Sequence, residues 1–186
     1  MDIHAPKLTT VEDFIDWVQV QPRGRHELHR GRIVELAAER VVHIAVKTAA
    51  CSALARAIQR SGVPCHALAD GITVKIDRHT SYAPDALIYA GARLPDDTVV
   101  IPAPVVIVEV LSPSTAKTDK ETKAMDYFTL PSVAHYLVLD PQTRGALHHW
   151  RTKSGKIARK MRRAGTLTLE PPGLAVPIAE LFAPVL

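Results

Sequence analysis

Asp85 and Glu109 are the residues of this chain best suited to chemistry. Asp85 follows Pro84 and opens the run Asp85-Ala86-Leu87-Ile88-Tyr89. Glu109 interrupts Val105-Val106-Ile107-Val108-Glu109-Val110-Leu111. Runs this apolar read as strands covered on both faces. A charge inside one is costly unless it is paired, hydrogen-bonded or bound to a metal. If the two strands are antiparallel neighbours, the start of one lies beside the end of the other and the carboxylates meet. Two carboxylates, waters and a phosphate oxygen complete a magnesium shell. Such an ion polarises a phosphoryl group and acidifies a bound water.

Lys123 is the third candidate. Asp119, Lys123 and Tyr127 are spaced i, i+4, i+8 and share one face of an expected helix over residues 118–129. An ammonium group there neutralises charge developing on a phosphate or orients the attacking water. The plain alternative is an exposed ion pair with Asp119. Glu27 is either a further site carboxylate or an exposed strand residue. His43 is either a phosphate-facing group or a packing residue. Glu35 reads as surface and Asp70 as a turn residue before Gly71. His148 and His149 alternate across a strand, so they do not make one metal site by themselves.

The positioning elements follow from pattern. Thr9-Thr10-Val11-Glu12 resembles a capping box, with Val11, Phe14, Ile15 and Val18 at helical spacing after it. Residues 26–29 and 32–36 flank Arg30-Gly31 as a β-hairpin. Residues 40–60 lack Pro and Gly and predict a long helix stopped by Gly62 and Pro64. Strands are expected at 65–68 and 72–76, joined by Asp70-Gly71, then at the Asp85 and Glu109 runs and at Tyr136–Leu139. Two shorter strands flank Ser154-Gly155. A helical turn at 179–182 closes a Pro-rich tail. With no linker or repeat, the 186 residues predict a single domain, a central mixed sheet with helices packed on it.

Composition is that of a globular protein: 47% hydrophobic and 23% charged residues. No signal-peptide core precedes residue 8, and no apolar run approaches a membrane span. Cys51 and Cys65 lack metal-type spacing and read as packing residues. These features lead us to expect a reducing cytoplasm and no membrane association. The net charge of +4 is unevenly placed. Arg151, Lys153, Lys156, Arg159, Lys160, Arg162 and Arg163 form an acid-free stretch, and the rest is slightly acidic. The stretch is either a guarded edge hairpin or a phosphate-tracking surface.

Pro84-Asp85, then Glu109-Val110-Leu111-Ser112-Pro113-Ser114-Thr115, then Asp119, Lys123 and Tyr127, then His135-Tyr136-Leu137-Val138-Leu139-Asp140-Pro141, is similar to the Uma-type family. That family groups putative restriction endonucleases of the PD-(D/E)XK superfamily. Glu27-Leu28 with Gly31 resembles its N-terminal hairpin, and His43 sits where it often has a histidine. The resemblance implies an α/β, restriction-endonuclease-like fold with an N-terminal helix and β-hairpin. It also implies magnesium-dependent cleavage of DNA, with manganese as an alternative ion. Asp85 and Glu109 match the metal-binding pair and Lys123 the catalytic lysine, with Glu27, His43, Asp119 and Tyr127 as accessory candidates. The superfamily's lysine usually lies two residues after the glutamate, and Leu111 stands there. A silent relic that binds nucleic acid or a protein partner therefore remains the second reading, and another phosphoester the third. A homodimer would suit paired cuts in a duplex.

Overall fold

The computed structural model describes residues 9–21, 24–112 and 121–183. The chain runs α1 (Val11–Gln19), β1 (Arg25–His29), β2 (Arg32–Leu36), α2 (Val41–Ser61), β3 (Cys65–Ala69), β4 (Val74–Asp77), β5 (Thr80–Tyr82), β6 (Ala86–Ala90) and β7 (Pro104–Val110). It continues through α3 (Lys123–Tyr127), β8 (His135–Asp140), β9 (Gly145–Arg151), β10 (Ile157–Arg162), β11 (Thr166–Leu169), β12 (Leu174–Pro177) and a 3-10 helix (Ile178–Phe182).

Local chemistry explains the boundaries. The Thr10 side chain accepts from the Asp13 N–H while Asp13 reaches back to the Thr10 N–H, a reciprocal cap that starts α1. β1 and β2 turn through Arg30 and Gly31, both at positive φ (49° and 77°), the conformation a two-residue primed turn requires. α2 ends where Gly62 takes the left-handed conformation and donates to the Ile58 carbonyl.

A six-stranded mixed sheet, in the order β10-β9-β8-β7-β6-β3, is the frame. Within it β7 and β8 run parallel, and the other neighbours are antiparallel. A parallel pair needs a crossover, and α3 lies in the segment between β7 and β8. Strand alternation divides the side chains. Val106, Val108 and Val110 of β7 join Leu137, Leu139 and the α2 residues Ala50, Ala53 and Leu54 on one face. Ile107 joins Leu87, Val138, Tyr127 and Tyr82 on the other. Both faces are covered, which accounts for the unbroken apolar runs. α2 is long and apolar enough to cross a membrane by length and composition, but its buried stripe belongs to this core.

A four-stranded sheet, β2-β1-β5-β4, carries the N-terminal hairpin beside the second face. Here the sequence expectation needs correction. The segments around Cys65 and Val74 do not pair as a hairpin across Asp70-Gly71. β3 pairs with β6 and β4 with β5, in separate sheets. The tail also holds a β11–β12 hairpin that the sequence pattern did not indicate, because its many prolines mask the short alternation Thr166–Leu169. The helical turn lies at Ile178–Phe182, close to where it was expected.

His148 and His149 do take opposite faces. His148 Nε2 lies 2.9 Å from His135 Nδ1, and His149 packs on Tyr136. Burial pushes His135 down to about 4; it pushes His148 down to about 3, with the charges of His135 and Arg162 adding to it. Native-state pKa values below the unfolded value of 6.5 mean that the unfolded chain binds protons first as pH falls. Stability is therefore expected to decline from about pH 6.5 downward, well before carboxylates titrate. Thermal melts across this range should show the decline in wild type, and a His135→Leu/His148→Leu double variant should flatten it. An unchanged pH profile in that variant would exclude the pair as its source.

Candidate functional site

The site forms where β6 begins and β7 ends. The β6–β7 register pairs Ala86 with Val108, so one further step along each strand brings Asp85 to the level of Glu109. The expected antiparallel neighbourhood is thus present. The Asp85 N–H donates to the Val108 carbonyl (3.0 Å), and its Oδ2 accepts from the Val110 N–H (2.6 Å). Asp85 and Glu109 are each 4% exposed. Both line a cavity of about 480 Å3, together with Arg25, Glu27, Glu39, His43 and Lys123.

Two knots of charge hold this floor. In the first, Lys123 Nζ lies 2.8 Å from Glu27 Oε1 and 3.1 Å from Glu109 Oε1. The Tyr127 hydroxyl donates to the same Glu109 oxygen at 2.9 Å. His29 Nε2 lies 2.9 Å from Glu27 Oε2, and the Ala83 N–H donates to Glu27 Oε1. Lys123 is buried, so the reading of it as an exposed helical ion pair is wrong. Asp119 lies outside the described residues, as do Pro113, Ser114 and Thr115. α3 is described over Lys123–Tyr127, and one turn of it delivers Lys123 and Tyr127 to Glu109 together. The alternative that Glu27 is an exposed strand residue also fails, since it is 1% exposed. Glu35 is on the surface, as expected.

The second knot surrounds Lys47. Its Nζ lies 2.9 Å from Asp85 Oδ1, 2.8 Å from Glu39 Oε1 and 2.7 Å from Asp70 Oδ2. Arg25 pairs with Glu39 and, at 2.8 Å, with Asp70. His43 Nε2 stands 3.3 Å from Asp85 Oδ2. Glu39, His43 and Asp85 offer ligand atoms within 4.8 Å of one another, a set suited to a metal ion. Asp70 is more than a turn residue, because it helps hold Lys47. Sequence reasoning missed Lys47, Glu39 and Arg25. Glu39, His43 and Lys47 stand at i, i+4 spacing, but that spacing alone does not separate a buried site from a surface ladder.

Electrostatics keep Asp85 and Glu27 ionised. Burial alone would raise the pKa of Asp85. The His43 contact, Lys47 and the Val110 N–H outweigh it and hold Asp85 at about 2. Glu27 is likewise held below its usual range, with burial overcome by Lys123, His29 and the Ala83 N–H. Burial also opposes the Lys47 charge, but Asp85, Asp70 and Glu39 raise its pKa. Among the described residues five carboxylates (Glu27, Glu39, Asp70, Asp85, Glu109) meet three cations (Arg25, Lys47, Lys123). Leu111, at the position of the superfamily's usual lysine, donates its N–H to Leu139 and packs with the second face of the sheet. Lys123 reaches Glu109 from α3 instead.

The mixed sheet and buried acidic floor define an α/β protein of the nuclease fold. A family profile described as "putative restriction endonuclease", Uma2, matches residues 11–179, and the chain belongs to that family. Among solved structures the chain resembles a putative nuclease of the DUF820 group from Anabaena variabilis ATCC 29413. The TM-score is 0.72 at 16% identity, covering 93% of this chain and 97% of that one. No curated protein matches.

Removing Lys123 would leave Glu27 and Glu109 as buried charges without their shared cation. Lys123→Met is expected to cost about 3–5 kcal/mol in urea unfolding. A triple variant that also carries Glu27→Gln and Glu109→Gln should recover most of that loss. No recovery in the triple variant would mean that the three groups do not act as one charge cluster.

Proposed function

We propose that this chain is a magnesium-dependent endonuclease that hydrolyses phosphodiester bonds in DNA. The observation that carries the reading is the convergence of Asp85 and Glu109 on one cavity floor where, among the described residues, carboxylates outnumber cations. An excess of hard oxygen donors fits a divalent ion of the magnesium or manganese kind. Asp85 and Glu109 would hold it, with Glu27 as a neighbouring carboxylate. When bound, the ion supplies Lewis-acid polarisation of the phosphoryl group and a more acidic water.

The protein's own groups have separate tasks. The Tyr127 hydroxyl fixes one oxygen of Glu109, leaving the carboxylate oriented before any ligand arrives. Lys123, held between Glu27 and Glu109, presents a proton-bearing cation where charge develops on the phosphate or its attacking water. Lys47 and His43 steady Asp85 from the opposite side. The DNA preference draws support from family membership and from the basic stretch near the chain's end.

Incubation of supercoiled plasmid with magnesium should yield nicked and linear products. Asp85→Asn and Glu109→Gln should each lower this rate by more than about 100-fold while far-UV circular dichroism stays native. Folded variants that cut as fast as wild type would refute the site. A wild type that binds DNA yet never cuts it with either ion would favour the non-catalytic reading.

A further inference from the structure

The basic stretch singled out in the sequence forms the outer hairpin of the six-stranded sheet. β9 and β10 pair from Ile157↔Arg151 to Arg162↔Ala146, and β10 is an edge strand. Arg151 is not part of the exposed charge. Its guanidinium donates to the carbonyls of Phe128 (2.9 Å), Leu130 (3.2 Å) and Val133 (3.3 Å). Lys153, Lys156, Arg159, Lys160 and Arg163 are exposed and Arg162 is half-buried. Among the described residues no carboxylate pairs with any of these six. Alternation sends Lys160 and Arg162 to one side of the edge and Arg159 to the other.

Register ties this edge to the site. Val110, Leu139, Ala146 and Arg162 form one row across β7, β8, β9 and β10. Arg162 therefore lies three strand spacings from the residue beside Glu109, about 14 Å across the sheet. Asp140, the last residue of β8, and Pro141 and Gln142 after it line the cavity at this same end. From Arg162 the cations run back to Lys156, roughly 20 Å along β10. The line begins at the rim of the site and leads away from it.

Resting on the nuclease reading above, we infer that the β9–β10 edge is the docking track for one arm of a nucleic-acid duplex whose scissile phosphate lies over Asp85 and Glu109. A row of unpaired cations about 20 Å long matches the phosphates of roughly half a helical turn, at one charge per ~1.7 Å of duplex. A second copy of the chain does not fit the edge, because six like charges would face six. The contacts carry no base information, so the track positions substrate without choosing sequence.

The test uses the full chain and a fluorescein-labelled DNA duplex, with EDTA present so that binding is read without cleavage. Anisotropy titrations across a salt series are compared for wild type, Lys156→Glu/Arg159→Glu/Lys160→Glu and the control Arg93→Glu. The triple variant should bind at least about tenfold more weakly. Its slope of log affinity against log salt should fall by about 0.9 for each phosphate that the protein no longer neutralises. Arg93→Glu should match wild type, and circular dichroism melts should show all three folded. Equal affinity and slope in the triple variant would overturn the track, as would a wild type that ignores duplex but binds acidic lipid vesicles. If wild type in magnesium cuts plasmid while the triple variant binds normally, the track fails and the nuclease reading stands. If no cutting occurs but binding depends on the three cations, the nuclease reading fails and the track stands.

Discussion

Carboxylates that meet beneath the end of a sheet repel one another, and burial strengthens the repulsion. The fold is arranged around that constraint. Pairing of β6 with β7 brings Asp85 and Glu109 together, and each is then met by a lysine from a different helix. Lys47 arrives from α2 on one side and Lys123 from α3 on the other. The two helices cover opposite faces of the same sheet, so the site sits at the seam between layers. Glu27 joins because β1 runs antiparallel to β5, which places the N-terminal hairpin against Tyr82, Ala83 and Asp85. The cations around them hold Asp85 and Glu27 ionised, and among the described residues the carboxylates of the site still outnumber the cations.

Much of this was legible in the sequence. An aspartate after proline and a glutamate inside a valine run stand out because alternation and burial make charges there expensive. The antiparallel relation of their strands entered the sequence reading only as a condition, and the β6–β7 register meets it. Lys123 was legible as a candidate, but its burial was not, since helical spacing alone cannot distinguish a face turned to solvent from one turned to a carboxylate. Lys47 was hidden for the opposite reason. It sits in a helix whose apolar composition dominates the pattern, and only its partners Asp70, Glu39 and Asp85, brought in from three separate segments, reveal it. β3 and β4 misled because Asp70-Gly71 looks like a hairpin turn; partner choice between strands is a long-range matter that turn residues do not settle.

Leu111 stands where the family resemblance would place a lysine. The position two residues after the glutamate packs in the core, and the cation comes from the next helix. An ammonium group thus stands 3.1 Å from Glu109, delivered by α3. The same sheet that aligns the carboxylates sets Arg162 of the basic β10 edge in one row with Val110.

The central claim is that Asp85 and Glu109 jointly hold one divalent ion. Crystals soaked in manganese and measured at an anomalous wavelength test it most directly. The account predicts a single peak about 2.0–2.3 Å from oxygens of both residues, with Lys123 Nζ turned from Glu109 toward open space in the cavity. A peak at Glu39, His43 and Asp85 that leaves Glu109 with Lys123, or no peak near either carboxylate, would contradict it.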